Sequence, residues 1–213
     1  MNDHRSGAIL VVCAANVCRS PMAELTLRQA FAAMPGFERI SVASAGVSAA
    51  ADQQLCRGVL AVQGDPRWRA LASAHRSRRL ESREVEAATL VLTASRAIRA
   101  AVVAAAPECR RRVFTLREAV WLGAGFERGV DAGAVDERGA DAVDSFWAHI
   151  DGSRGLRQLP VAPPRPPWRR RPPDPLDIVD GHGARTASHR RTVRDVEESA
   201  RALAALIGTR RAS

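Results

Sequence analysis

Tyrosine is absent from the 213 residues, and so is lysine, so that all 32 basic positions are arginine. Aromatic residues make up only 4% of the chain, a poor supply for a large all-β barrel or sandwich, whose strands favour aromatic and β-branched side chains. No apolar run approaches the roughly 20 residues that a membrane span needs, which excludes a transmembrane protein. Cys13, Cys18, Cys56 and Cys109 are too few for a disulfide scaffold in a chain of this length. They show no C-x-x-C pairing, so neither a structural zinc site nor any other metal is expected, and a reducing cytoplasm is the default location. The apolar run from Ala8 to Ala15 follows Arg5 but lacks a small-x-small cleavage site, and it reads as a buried strand rather than a signal peptide.

What is present points to one helix-rich core. Hydrophobic residues reach 46%, much of it alanine, which suits close helix packing on small side chains. The net charge of +9 would by itself suggest nucleic acid or an anionic surface. That charge is uneven: residues 152–173 hold six arginines and no acid, whereas residues 127–151 hold seven acids against two arginines. With the missing lysine and the alanine excess, this reads as coding bias, and neither nucleic acid nor membrane is expected as a partner.

Along the chain, Ala8 to Cys13 is short, continuous and partly β-branched, as expected of a parallel strand covered on both faces. Ser20-Pro21 marks a helix start, with serine as cap and proline in the first turn. Met22, Leu25, Leu27, Ala30, Phe31 and Met34 supply its apolar positions, and Pro35-Gly36 stops it. Further strands are expected at Ile40–Gly46, Thr89–Thr93 and Arg112–Thr115. Helices are expected at Leu55–Val62, Ser95–Ala105, Leu116–Leu122 and Ser188–Ile207. The alternation predicts an α/β fold: an open, mostly parallel four-stranded sheet with helices on both faces, whose ligands sit at the carboxyl ends of the strands. One domain is expected from 1–122 and 174–210. Residues 123–173 read as a mobile insertion, acidic at first with a helix through 142–150, then rich in proline and arginine. That last part carries seven of the chain's twelve prolines and has the polyproline character of a docking ligand.

The chemistry lies in Cys13-Ala14-Ala15-Asn16-Val17-Cys18-Arg19-Ser20-Pro21. A cysteine ends a buried strand, an arginine follows six positions later, and a helix begins at once. Such a loop can turn successive backbone N–H groups toward one point in front of a helix N-terminus, and both features favour an anion. The planar guanidinium of Arg19 can grip two oxygens of a tetrahedral oxyanion. The same field favours a thiolate at Cys13, to which Ser20 can donate a hydrogen bond. The arrangement is that of a sulfur nucleophile beneath a bound phosphate.

These residues resemble the low-molecular-weight protein tyrosine phosphatases and the related arsenate reductases. The family signature Cys-x-x-Asn-x-Cys-Arg-Ser-Pro-Met/Ile-Ala-Glu is matched by Cys13 to Glu24. Val42–Gly46, Ala74–Arg78 and Asp177–Gly183 follow in family order, so the resemblance covers residues 7–122 and 174–207. It implies that Cys13 forms a phosphocysteine, that Arg19 and the amides of Ala14, Ala15, Asn16, Val17, Cys18 and Ser20 bind phosphate, and that Asn16, supported by His75, holds the loop. It further implies a reversible Cys13–Cys18 disulfide and places the general acid at Asp180. Asp174 and Asp177 compete for that role, but Asp180 keeps the spacing to Gly183 and the last helix. The implied activity is hydrolysis of phosphotyrosine in proteins or of a small aryl phosphate, with inorganic phosphate as product and no cofactor.

Departures from the family pattern bear on selectivity. Gly181 and His182 stand where members have proline and tyrosine, and the loop from Val47 to Gln54 has no aromatic residue. Trp168 is a candidate substitute wall. Two alternatives remain open on the sequence. An arsenate reductase of the same fold would need a close pair of resolving cysteines after the third strand, where only Cys109 lies. A phosphate-binding or scaffolding protein with weak catalysis would use the Pro/Arg segment to dock a partner.

Overall fold

The computed structural model describes residues 7–62, 65–127, 138–158, 160, 164, 168 and 173–209. Strands β1 (Ala8–Cys13), β2 (Ser41–Gly46), β3 (Leu90–Thr93) and β4 (Val113–Thr115) form one sheet in the order β2-β1-β3-β4. Every neighbouring pair is parallel, with Cys13 level with Gly46 and Val12 level with Thr93. Because β1 and β3 lie inside the sheet, alternate side chains enter two cores. Ile9, Val11, Leu90, Leu92 and Phe114 face the larger core, and Leu10, Val12, Val91 and Val113 face the smaller one. The expected open α/β sheet with helices on both faces is the architecture observed.

The helices are α1 (Arg19–Ala32), α2 (Arg57–Leu60), α3 (Pro66–Ala74), α4 (Ser82–Ala87), α5 (Arg96–Ala105), α6 (Leu116–Gly123), α7 (Arg138–Gly152) and α8 (Thr186–Gly208). Val85 of α4 and Val102 of α5 cover the smaller core, and α1, α6, α7 and α8 build the larger one. The first half of α1 is buried on every side from Arg19 to Leu27, because it is sandwiched between the sheet and α8. That sandwich explains why its sequence shows so little amphipathic contrast.

Three local expectations are corrected. The helix expected over Leu55–Val62 shrinks to the single turn of α2. A helix absent from the expected set, α3, starts at Asp65-Pro66: Asp65 Oδ1 accepts from Trp68 N at 2.7 Å, and Pro66 takes the first turn. A second missed helix, α4, is set by a capping box in which Glu81 and Glu84 bond reciprocally across the first turn.

The region expected to be a mobile insertion from residue 123 contains α7, which is longer than its expected span of 142–150 and belongs to the core. Ala142, Val143, Phe146 and Ile150 are fully buried against the same cluster as α6 and α8. Phe126 and Phe146 meet edge to face with centroids 5.2 Å apart. Just beyond α7, the Arg154 guanidinium lies 3.7 Å from the centroid of the Phe114 ring and donates to Val113 O at 2.6 Å. Spacing at 142, 143, 146 and 150 gives α7 an apolar stripe, and the acids outside that stripe made the stretch read as a solvated insertion. The expected polyproline character of 159–173 lies for the most part outside the described residues.

Candidate active site

The loop between β1 and α1 curls back on itself. Cys13 ends β1, is 2% exposed, and its Sγ accepts from Asn16 N at 3.3 Å. Ser20 Oγ lies 3.0 Å from the same sulfur and 3.2 Å from Ala45 O. Ser20 is therefore not the helix cap the sequence suggested. Cys18 occupies that position, α1 starts at Arg19, and the serine hydroxyl points from the first turn at the sulfur.

The turn needs Asn16 in the left-handed region, with φ of +55°, a conformation that asparagine tolerates better than most residues. Every polar group of its fully buried side chain is used. Nδ2 donates to Ser20 Oγ at 3.0 Å and Ser44 Oγ at 2.8 Å, and Oδ1 accepts from Arg78 N at 3.0 Å. Ser44 Oγ in turn donates to Glu24 Oε2 at 2.5 Å. His75 Nε2 donates to the backbone carbonyl of Asn16 at 2.9 Å, so the imidazole holds the loop's main chain rather than the asparagine side chain. Ala14, Ala15 and Val17 complete the loop, which is tied to the chain after β2 by Val47 N to Cys13 O, Ser48 N to Ala14 O and Cys56 N to Val17 O at 2.8–3.0 Å. Ser44, Glu24 and Arg78 were missed as support; Glu24 belongs to the matched signature, but nothing in the sequence pairs it with Ser44.

Arg19 is 7% exposed; its Nη1 donates to Ile178 O at 3.3 Å and its Nη2 is ion-paired with Asp180 Oδ2, which is 49% exposed. The segment carrying Asp180 is laid across the carboxyl ends of β3 and β4. Ile178 N donates to Ala94 O at 2.9 Å, Thr115 Oγ1 to Leu176 O at 2.9 Å, and Thr192 Oγ1 to Val179 O at 3.0 Å. The competing acids are spent on that support. Asp177 Oδ1 accepts from Arg96 N at 2.7 Å, and Asp174 Oδ2 pairs with Arg96 at 2.5 Å. Among these three, Asp180 is the carboxylate that reaches Arg19.

Cys18 and Cys56 meet on the far side of the loop. Both sulfurs approach His189 Nε2, at 3.2 and 3.3 Å. The hydrogen bond to Cys56 pushes the Cys18 thiol well above the ordinary thiol range, and burial adds to the effect. The same bond from Cys18, together with the Val59 backbone N–H and His189, pulls Cys56 down to about 5 against burial. Cys56, which the expected Leu55–Val62 helix would include, instead precedes the single turn of α2 as its cap. All four cysteines are unbridged. Trp168 is 83% exposed.

The family model for low molecular weight phosphotyrosine protein phosphatases matches residues 8–130. The protein-arginine-phosphatase of Geobacillus stearothermophilus is 33% identical over 152 residues, 70% of this chain and 85% of that protein. EpsP of Ralstonia solanacearum, described as a probable low molecular weight protein-tyrosine-phosphatase, is 39% identical over 114 residues, 52% of this chain and 70% of its own. In fold, a mutant of YwlE from Bacillus subtilis superposes with a TM-score of 0.58 at 21% identity, covering 93% of this chain and 96% of that one. A low molecular weight phosphotyrosine phosphatase from Vibrio cholerae O395 gives 0.55 at 16% identity, covering 92% and 93%.

Proposed function

The chain belongs to the low-molecular-weight phosphotyrosine protein phosphatase family, and on that premise we propose that it hydrolyses phosphotyrosine in proteins, or a small aryl phosphate, through a phosphocysteine at Cys13. The observation that carries the reading is the convergence on one sulfur of an amide and a hydroxyl, beside an Arg19–Asp180 pair. The amides from Ala14 to Ser20 and the Arg19 guanidinium would take the equatorial oxygens of the phosphoryl group. An arriving phosphate competes with Asp180 for the guanidinium, so binding separates the ion pair and releases the carboxyl group toward the leaving oxygen.

Asp180, protonated from solvent once the ion pair opens, gives that proton to the departing phenolate as the Cys13 sulfur attacks phosphorus. The Asp180 carboxylate next takes a proton from water, which attacks the phosphocysteine. The S–P bond breaks, inorganic phosphate leaves, and the Ser20 hydroxyl stabilises the returning thiolate. Under oxidising conditions Cys18 would pair with Cys13 and spare the nucleophile from irreversible oxidation. The support residues are Asn16 and His75, and the cytoplasm is the compartment that suits such thiol chemistry.

A second reading, phosphoarginine in proteins, is favoured by the identity to the Geobacillus protein and by the lack of aromatic residues from Val47 to Gln54 and at position 182. The arsenate-reductase alternative is disfavoured, because Cys109 is 0% exposed in the smaller core, across the sheet from α1. The deciding measurement is turnover of para-nitrophenyl phosphate against pH, with phosphotyrosine, phosphoserine and phosphoarginine peptides as competitors. Preference for the phosphotyrosine peptide supports the first reading, and preference for phosphoarginine replaces it by the second. Arsenate-dependent oxidation of thioredoxin without phosphate release would remove both.

A further inference from the structure

Beside the phosphate loop, one ligand atom from each of Cys18, Cys56, His182 and His189 lies within 4.8 Å of the other three. The two cysteines are buried, His189 is half-buried and His182 is exposed. They come from four separate places: the residue capping α1, the residue capping α2, the loop two residues past Asp180, and the first turn of α8. Zinc bonds of about 2.3 Å to sulfur and about 2.0–2.1 Å to nitrogen give a tetrahedron with N···S edges of about 3.5 Å and an S···S edge of about 3.8 Å. The two measured S···N separations, 3.2 and 3.3 Å, already match such edges. Rotation of the exposed His182 can draw in the wider ones.

The packing around this cluster is built for the imidazoles. A Cβ at Gly58 would sit 2.6 Å from His189 Cε1, so the bare glycine lets the ring lie on the α2 backbone and reach both sulfurs. A Cβ at Gly181 would sit 2.4 Å from Thr192 Oγ1 and 2.9 Å from the backbone of His189. Glycine at 181 thus lets the acid-bearing loop press onto α8, and the next residue, His182, meets His189 with ring centroids 5.9 Å apart. Gly181 and His182 are the two positions that depart from the family pattern after the acid.

We propose that Cys18, Cys56, His182 and His189 bind one Zn²⁺ as a tetrahedral structural site joining the phosphate loop to the acid loop. Two thiolates balance the ion's charge, so the buried centre carries no net charge. As the two Zn–S bonds form, protons still held by the thiols pass to the buffer, and nothing is oxidised or reduced. Four protein ligands fill a tetrahedron, so the ion does not activate water. The metal clamps the loop that glycine at 181 would otherwise loosen, fixing Asp180. It also engages the Cys18 sulfur, so a Cys13–Cys18 disulfide forms only after zinc leaves.

Metal binding does not depend on the hydrolytic reading, and the test keeps the two apart. The full chain, reduced and freed of metal, is titrated with Co²⁺, followed by displacement with Zn²⁺. The expected result is one Co²⁺ per chain, with the intense visible absorption of tetrahedral cobalt and a thiolate-to-cobalt charge-transfer band, both bleached by Zn²⁺. Cys13→Ser should keep the spectrum unchanged. His182→Ala, on an exposed side chain that threatens no folding, should weaken binding by more than about a hundredfold, since even outer partners of metal ligands cost about 10–100-fold when lost. Cys56→Ser should abolish the charge-transfer intensity of one thiolate while circular dichroism stays native. Octahedral cobalt spectra, a signal lost in Cys13→Ser, or one indifferent to both His182→Ala and Cys56→Ser would overturn the proposal.

Discussion

Ser20 is the residue whose position in the sequence was clear and whose role was not. It was read as a helix cap and also as a donor to sulfur, and the structure gives it only the second task, 3.0 Å from Cys13. A hydrogen bond to a charged partner contributes about 1.5–3 kcal/mol, so Ser20→Ala should lower kcat for para-nitrophenyl phosphate by roughly 10- to 100-fold. KM should change little, and a wild-type kcat would remove the hydroxyl from the mechanism. Asp180→Asn should slow poor leaving groups by about 10²–10⁴-fold and good ones far less. Equal losses across a series of substituted phenyl phosphates would move the proton donor elsewhere. Asp177 would not inherit the role, because its carboxylate accepts from Arg96 N and supports the loop rather than facing Arg19.

At the scale of elements, α7 decides where the domain ends. Its first-glance composition, acidic and alanine-rich, resembles a solvated linker, yet Phe146 is fully buried against Phe126. Truncation of a buried phenylalanine costs about 3–5 kcal/mol, so Phe146→Ala should lower the free energy of unfolding by that much. A change below about 1 kcal/mol, the size of an ordinary surface substitution or less, would return α7 to the insertion. The contrast with α3 is instructive. Asp65-Pro66 is a start signal that the expected elements left out, and Asp65→Ala should cost about 1 kcal/mol through the lost cap. Chemical denaturation followed by circular dichroism measures both.

For the whole molecule, the anion site couples strands, loops and the last helix. Arg19, at the start of α1, meets Asp180, whose preceding residues are held by Ala94 just past β3, Thr115 of β4 and Thr192 of α8. Phosphate at about a hundred times its dissociation constant should stabilise the fold by about 2.7 kcal/mol. Thermal melts with and without phosphate should show that gain in the wild-type chain and lose most of it in Arg19→Ala. An equal gain in the variant would mean that phosphate binds elsewhere.

The strand β1, the loop signature and the order of strands and helices were legible because each depends on neighbours in sequence: a short apolar run, a fixed spacing of Cys13, Asn16 and Arg19, a start signal. Local chemistry of that kind is written along the chain. The meeting of Asn16 with Ser44 and Arg78, the choice of Asp180 over its neighbours, and the approach of His189 to Cys18 and Cys56 depend on separations of 28 to 171 residues. Nothing in the spacing of those residues brings them together. The parallel sheet and the laying of α8 over α1 do so, because burying apolar faces on both sides of the sheet leaves the polar side chains at the strand ends only each other to satisfy.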